Sequence, residues 1–280
     1  YLAAFFDSAT LRHNCAARVR HVMSVPFAAV ALFDVVTRKI QDDVTEMTKL
    51  IFDCLARNAS HYLRSPVLSS VIVGFPPGRD TVAGIDAYYA AFPEAALLEF
   101  FKEWVASADA RKDKLLPSEV YFDPSKTDVV VSRQGTVIVP AGIFKTELYE
   151  PGVVEALNAG GLGHVIARAI VQRFLRDDVQ PSPGCTGPSN SDVAEDFENL
   201  LAFQCAQSAL RRGAASDNLW LPMLSSLSPQ RQYFTMGCFK DCRRRGTGVL
   251  GSCDTDTMGN FLSFSEAFDC RNTTPSCVLP

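Results

Sequence analysis

Between Val44 and Leu55 the apolar residues fall at helical spacing. Val44, Met47, Leu50, Ile51, Cys54 and Leu55 share one face of IQDDVTEMTKLIFDCLAR, which predicts a helix over 40–57. Asp42 and Asp43 belong to its expected first turn, where the positive end of the helix dipole favours carboxylates. Residues 10–36 also read as helix, kinked at Pro26 because proline lacks the backbone donor and crowds the preceding turn. GFPPGRDTV, 74–82, is a loop, and a second helical block at 85–107 carries an aromatic face of Tyr88, Phe92, Phe100, Phe101 and Trp104. The period changes from Glu119 onward. VYFD, DVVVS and TVIVP are short β-branched or aromatic runs, with Arg133-Gln134-Gly135 as a hairpin turn. ALNAGGLGHVIARAIVQRFLRDD, 156–178, returns to the helical period and is reached through Gly160, Gly161 and Gly163. After the loop PSPGCTGPSNS come helices at about 192–212 and about 228–243, then a short cysteine-rich tail. The pattern is α+β, mostly helical, with a small β-sheet.

Composition narrows the functional classes. A chain of 280 residues, 47% hydrophobic, can bury a substantial core. A net charge of −4 without a basic face argues against a nucleic-acid partner. The longest uncharged apolar run, VMSVPFAAVALF, is too short to cross a bilayer, so no membrane segment is expected in this chain. The first residues show neither an initiator Met nor a basic n-region, which reads as a piece of a longer protein. Nine cysteines, not arranged as C-x-x-C zinc knuckles, and the sequons at Asn58 and Asn272 point to an oxidising, extracellular compartment and a glycoprotein. An odd count leaves at least one thiol free or paired outside the chain.

The stretch GTVIVPAGIFKTELYEPGVVEALNAGGLGHVIARAIVQRF, 135–174, resembles the core of the neprilysin and endothelin-converting-enzyme family of zinc metallopeptidases. There a strand and a PAGI turn lead into an ALN-x-GG-x-G-x-VI-x-H-E-x-x-H helix. Pro140-Ala141-Gly142-Ile143, Ala156-Leu157-Asn158, Gly160, Gly161 and Gly163 match this scaffold. The H-E-x-x-H positions hold Arg168, Ala169, Ile170, Val171 and Gln172 instead. Two histidines at i and i+4 share a helix face and bind Zn²⁺, with the intervening Glu as general base on its water. Arg168 brings a cation with no lone pair to offer, Gln172 a neutral amide, and Ala169 cannot accept a proton. His164 has that arginine as its i+4 neighbour and reads as a buried or rim histidine rather than a ligand.

The resemblance implies a third ligand in an E-x-x-x-D pattern on the next helix. The best match, Ser191-Asp192-Val193-Ala194-Glu195, puts Ser191 at the ligand and Glu195 at the supporting Asp. Asp192, Glu195 and Asp196 otherwise read as an acidic first turn that complements the dipole. The family's peptide-binding strand opens N-A-[YF]; here Glu119, Tyr121 and Phe122 form the substrate-like cleft segment, with Glu replacing Asn. The family's C-terminal His and Arg have no match in CDTDTMGNFLSF, 253–264.

RHNCAARVRHVMSVPFAAVALF and the closing FSEAFDCRNTTPSCVLP extend the likeness to nearly the whole chain. It corresponds to the C-terminal part of a family ectodomain: a thermolysin-like (gluzincin) peptidase subdomain. Residues 1–115 would be a helical segment of the chamber, and 116–280 a degenerate zinc-peptidase domain. The resemblance pairs Cys185 with Cys277 and gives Cys15, Cys242 and Cys270 partners in the N-terminal part. Cys54, Cys205, Cys238 and Cys253 have no counterpart. Either they re-wire the fold or the native bonds are incomplete here, and a bond from Cys238 or Cys242 to Cys253 stays open.

The implied function is a secreted pseudopeptidase, or the ectodomain of a membrane-anchored parent. It would act without zinc by binding a peptide or extracellular protein, with the N-terminal half as a further partner. The alternatives are a metalloendopeptidase with relocated ligands, although none of the four histidines pair at ligand spacing, and a truncated relative without activity. Arg243-Arg244-Arg245 reads as a solvated turn, against a site for anionic glycans or protein.

Overall fold

The computed structural model describes residues 24–64, 66–90, 122–177, 179, 193–210, 227–242 and 261–269, without the side chains of 27, 193–196 and 240–242. Helix α1 spans Ser24–Leu32 and α2 spans Arg38–Asn58. The Thr37 hydroxyl caps α2 by accepting the Ile40 N–H at 3.4 Å. This cap starts the helix two residues before the expected position, so Asp42 and Asp43 lie in its second turn. Asp42 pairs there with Arg38 at 3.4 Å, an exposed pair of small energetic weight. The buried face of α2 includes Val44, Ile51, Cys54 and Leu55, as its periodicity predicts. The helix expected through residue 36 ends at Leu32, where the Val35 N–H turns back to the Leu32 carbonyl. Residues 10–23 lie outside the described residues, so of the expected kinked helix only the part from Ser24 is seen, with Pro26 as the third residue of α1, in its first turn.

Three strands form one sheet in the order β1-β3-β2. Strand β1, Ser70–Gly74, runs parallel to β3, Thr136–Pro140, while β2, Val130–Val131, is antiparallel to it. The β2–β3 hairpin turns as expected at Ser132–Gly135. Gly135 has φ +83°, and its N–H donates to the Ser132 carbonyl at 3.1 Å. The strand expected at VYFD is not formed where described. Phe122 and Asp123 are irregular, and the Asp123 carboxylate accepts from the Ser125 N–H and hydroxyl at 2.9 and 2.7 Å, which bends the backbone out of extension. Helix α3, Val82–Tyr89, begins the second helical block and buries Tyr88. The other four aromatic residues of that face lie outside the described residues.

A 3₁₀ turn, Ala141–Lys145, follows β3. Helix α4, Glu155–Asn158, then passes through a π-helical turn, Ala159–Gly163, into α5, His164–Phe174. The glycines expected to lead into the helix are therefore inside it. Helix α6, Val193–Gln207, starts as expected but gives way to a turn at Ser208 and Ala209, short of the expected 212; α7, Pro229–Cys242, matches expectation, and Leu262–Phe268 of the tail forms α8. One hydrophobic core joins Ile51 of α2, Val73 of β1, Val139 of β3, Ile166 and Ile170 of α5, Leu200 of α6 and Phe234 of α7, and so has members on both sides of position 115. Among the described residues, no helix is long and apolar enough to cross a membrane.

Candidate functional site

Close backbone packing fixes where α5 lies. Gly160 abuts the Tyr233 carbonyl of α7, and Gly161 abuts the Leu148 carbonyl, which accepts the Leu162 N–H at 2.8 Å. A Cβ at either glycine would overlap those backbone atoms. Asn158 adds a two-pronged clamp: its amide accepts the Glu150 N–H and donates to the Glu150 carbonyl, both at 2.9 Å. The scaffold residues of the ALN-x-GG motif thus seat the helix against α7 and the loop before α4.

On α5, His164, Arg168 and Gln172 are spaced one turn apart and share a face. His164 is fully buried, with its ring stacked on Phe203 of α6 at a centroid distance of 3.8 Å. Arg168 is half-buried with its Nε shielded from solvent, Ala169 is half-buried, and Gln172 is exposed. These residues do not fit zinc. At the positions where the resemblance implies ligands stand a guanidinium and an outward-facing amide, and the imidazole is committed to aromatic packing. Among the described residues, no three His, Cys, Asp or Glu side chains gather into a group able to hold a metal ion.

Other sequence-derived positions are only partly covered. Glu119, Tyr121, Ser191, Cys185, Cys277, Asn272 and Arg243-Arg244-Arg245 lie outside the described residues, as does the Glu195 side chain on α6. Phe122 is half-buried in the loop before β2. Asn58, the last residue of α2, is exposed, and its amide donates to the Cys54 sulfur at 3.6 Å.

Two cysteines without an expected partner find each other. Cys54 of α2 and Cys205 of α6 form a disulfide with Cα atoms 5.4 Å apart, and both residues are buried. Their separation of 151 residues gives no local sequence signal. Closing such a loop restricts the unfolded chain by about 5 kcal/mol on the chain-entropy account. Cys238 is also disulfide-bonded.

An acidic junction lies where α2 meets the start of α4. Burial raises the Tyr149 phenol to about 12, assisted by the Asp43 charge and a hydrogen bond to it. Glu155 is exposed at the surface, but partial desolvation still raises its carboxyl, and Glu46 and Asp43 push it further in the same direction.

Neither a protein-family profile nor a curated protein sequence matches the chain. Solved structures do. A Haemonchus galactose containing glycoprotein complex superposes with a TM-score of 0.58 at 15% identity, over 95% of this chain and 54% of that one. PepO from Lactobacillus rhamnosis HN001 gives 0.55 at 15% identity, over 91% and 48%. This chain has the thermolysin-like fold of the neprilysin/PepO peptidases. It spans about half the length of the solved structures it matches.

Proposed function

We propose that this chain is a neprilysin-like pseudopeptidase of the extracellular space, which binds a peptide or an extracellular protein without cleaving it. One observation carries the reading: the backbone that seats the metal helix is intact, while Arg168, Ala169 and Gln172 replace two zinc ligands and the general base. No zinc is needed in this role. In this reading the binding face is the accessible stripe of α5 at Val165, Arg168, Ala169 and Gln172, with the Phe122 segment as the cleft strand that the resemblance implies. The Cys54–Cys205 disulfide and the exposed sequon at Asn58 support an oxidising compartment and N-glycosylation. The N-terminal half of the family ectodomain is a second partner in this reading.

The test is zinc stoichiometry by elemental mass spectrometry on monodisperse, disulfide-intact protein, alongside titration of a panel of bioactive peptides. Zinc far below one per chain with micromolar peptide binding is expected. Near one zinc per chain with chelator-sensitive cleavage would overturn the reading in favour of relocated ligands. Zinc-free protein that binds no peptide would remove the peptide role and leave a protein partner.

A further inference from the structure

Helix α6 is fastened to its neighbours within one turn of its C-terminal end. Phe203 lies on the His164 ring of α5, and Cys205 is bonded to Cys54 of α2. Just beyond the helix, the Ser208 hydroxyl lies 3.4 Å from the Leu50 carbonyl of α2 and 2.6 Å from its own Cys205 carbonyl. Helices α2, α5 and α6 therefore form a three-helix unit with a single covalent tie among the described residues. Arg168 and Gln172 offer no ligand through which a metal ion could add a second tie on α5.

We propose that the Cys54–Cys205 disulfide fastens this unit in place of a metal ion, so that the α5 surface is held in a chelator-insensitive and thiol-sensitive way. This rests on the reading of α5 as a helix without metal. The chemistry is two-electron thiol–disulfide exchange. An external dithiol attacks one sulfur as thiolate, forms a mixed disulfide and releases the other cysteine as thiolate. Its second thiol then closes to the oxidised reductant, leaving two protonated cysteines. Both cysteines are buried, at 3% and 0% exposure, so attack requires α6 to lift from α2. Once reduced, the two thiols sit in the core as small apolar groups, and α6 is held by packing and by the Ser208–Leu50 and Tyr233–Phe203 hydrogen bonds, without a covalent tie to α2.

The experiment compares thermal unfolding of the full, disulfide-intact chain with that of the double variant Cys54→Ala/Cys205→Ala, each with and without EDTA. The expected result is no EDTA effect on either protein and a Tm lower by about 10 °C or more in the variant. An EDTA-induced loss of several degrees in the parent, or a variant Tm equal to the parent's, overturns the proposal. Should the variant fail to fold, limited reduction of the parent replaces it. The fraction opened only at Cys54–Cys205 is identified by peptide mapping, and amide exchange is followed across 197–207. Exchange there faster by roughly tenfold or more supports the fastener, and unchanged protection overturns it. Elemental zinc analysis of the same samples separates this failure from failure of the metal-free reading. A zinc-bearing chain refutes that reading, whereas a zinc-free chain indifferent to the disulfide refutes only the fastener.

Discussion

His164 lies nearly flat on Phe203, with ring planes 20° apart and centroids 3.8 Å apart, so the histidine one turn before Arg168 belongs to the packing of α5 on α6. Phe203 also meets Tyr233 edge-on at 6.0 Å, and its carbonyl accepts the Tyr233 hydroxyl at 2.6 Å. The Tyr233 phenol is driven well above its ordinary range by burial. This cluster is a mechanical joint of α5, α6 and α7.

Truncating the centre of that joint should be costly without touching metal content. Phe203→Ala removes a fully buried ring and should destabilise the chain by about 3–5 kcal/mol, read as a lower urea midpoint. Phe203→Leu keeps most of the volume and should cost about half as much. Bound zinc, measured alongside, should be the same in all three proteins; a zinc loss that tracks either substitution would mean that His164 is a ligand after all.

How much of this was legible beforehand depended on the kind of signal. The amphipathic face of α2 and the hairpin at Gly135 follow from local periodicity and turn chemistry, and both are formed. No strand is expected at SVIVG, which forms β1, although it is a β-branched run closed by glycine. Its pairing with β3 lies more than sixty residues away, which local pattern does not reveal. The sequence pattern presents Gly160 and Gly161 as the entry to the helix. Their actual role is to let the helix backbone touch two carbonyls of distant segments. That Arg168 and Gln172 share one face of α5 is readable because a motif fixes their spacing; that they stand for lost ligands is the reading proposed above. The Cys54–Cys205 bond is not readable, since nine cysteines allow many pairings.

Placing histidines at 168 and 172 tests whether the α5 face is aimed where a metal would lie. Arg168→His with Gln172→His places two imidazoles at i and i+4 on a helix whose backbone is already seated. The double variant should acquire zinc affinity of about micromolar strength in a competition titration with a chromogenic chelator, where the parent shows none. Without a general base at Ala169 it should remain inactive towards peptides. A double variant with no gain in affinity would place this face out of reach of an ion.

The glycine packing gives a contrast within one turn. Alanine is favoured over glycine inside a helix by about 1 kcal/mol. At Gly160 and Gly161 the new methyl meets rigid backbone carbonyls, so each alanine variant should lose about 1–3 kcal/mol net. At Gly163 the methyl would lie 3.2 Å from the Met47 sulfur, the flexible end of a side chain that can turn aside. Gly163→Ala should therefore be close to neutral. Chemical denaturation of the three variants measures the difference, and equal losses would show that α4 and α5 move as a unit.

Stability should fall as pH rises through the mildly acidic range, because of Glu155. Its carboxyl is raised above the ordinary 4.5 by partial desolvation, then by Glu46 and Asp43 of α2. In the unfolded chain Glu155 ionises near 4.5, while in the folded chain it holds its proton to higher pH. The folded state therefore binds more protons across that window, so its added stability is full below 4.5 and is lost as pH climbs through the raised value. Glu155→Gln removes the ionisation. The variant should match the parent at pH 4 and unfold at a higher temperature at pH 7, with a flatter profile between. Tyr149 acts with the same sign at the alkaline end, where the stability it contributes is lost between its ordinary 10.0 and about 12. Parallel thermal scans of parent and variant from pH 4 to pH 8 separate the two, since of Glu155 and Tyr149 only Glu155 titrates in that range and the other groups are common to both proteins. A parent profile that rises towards pH 7, or a glutamine variant with the parent's slope, would show that the repulsion between α2 and α4 is relieved by solvent.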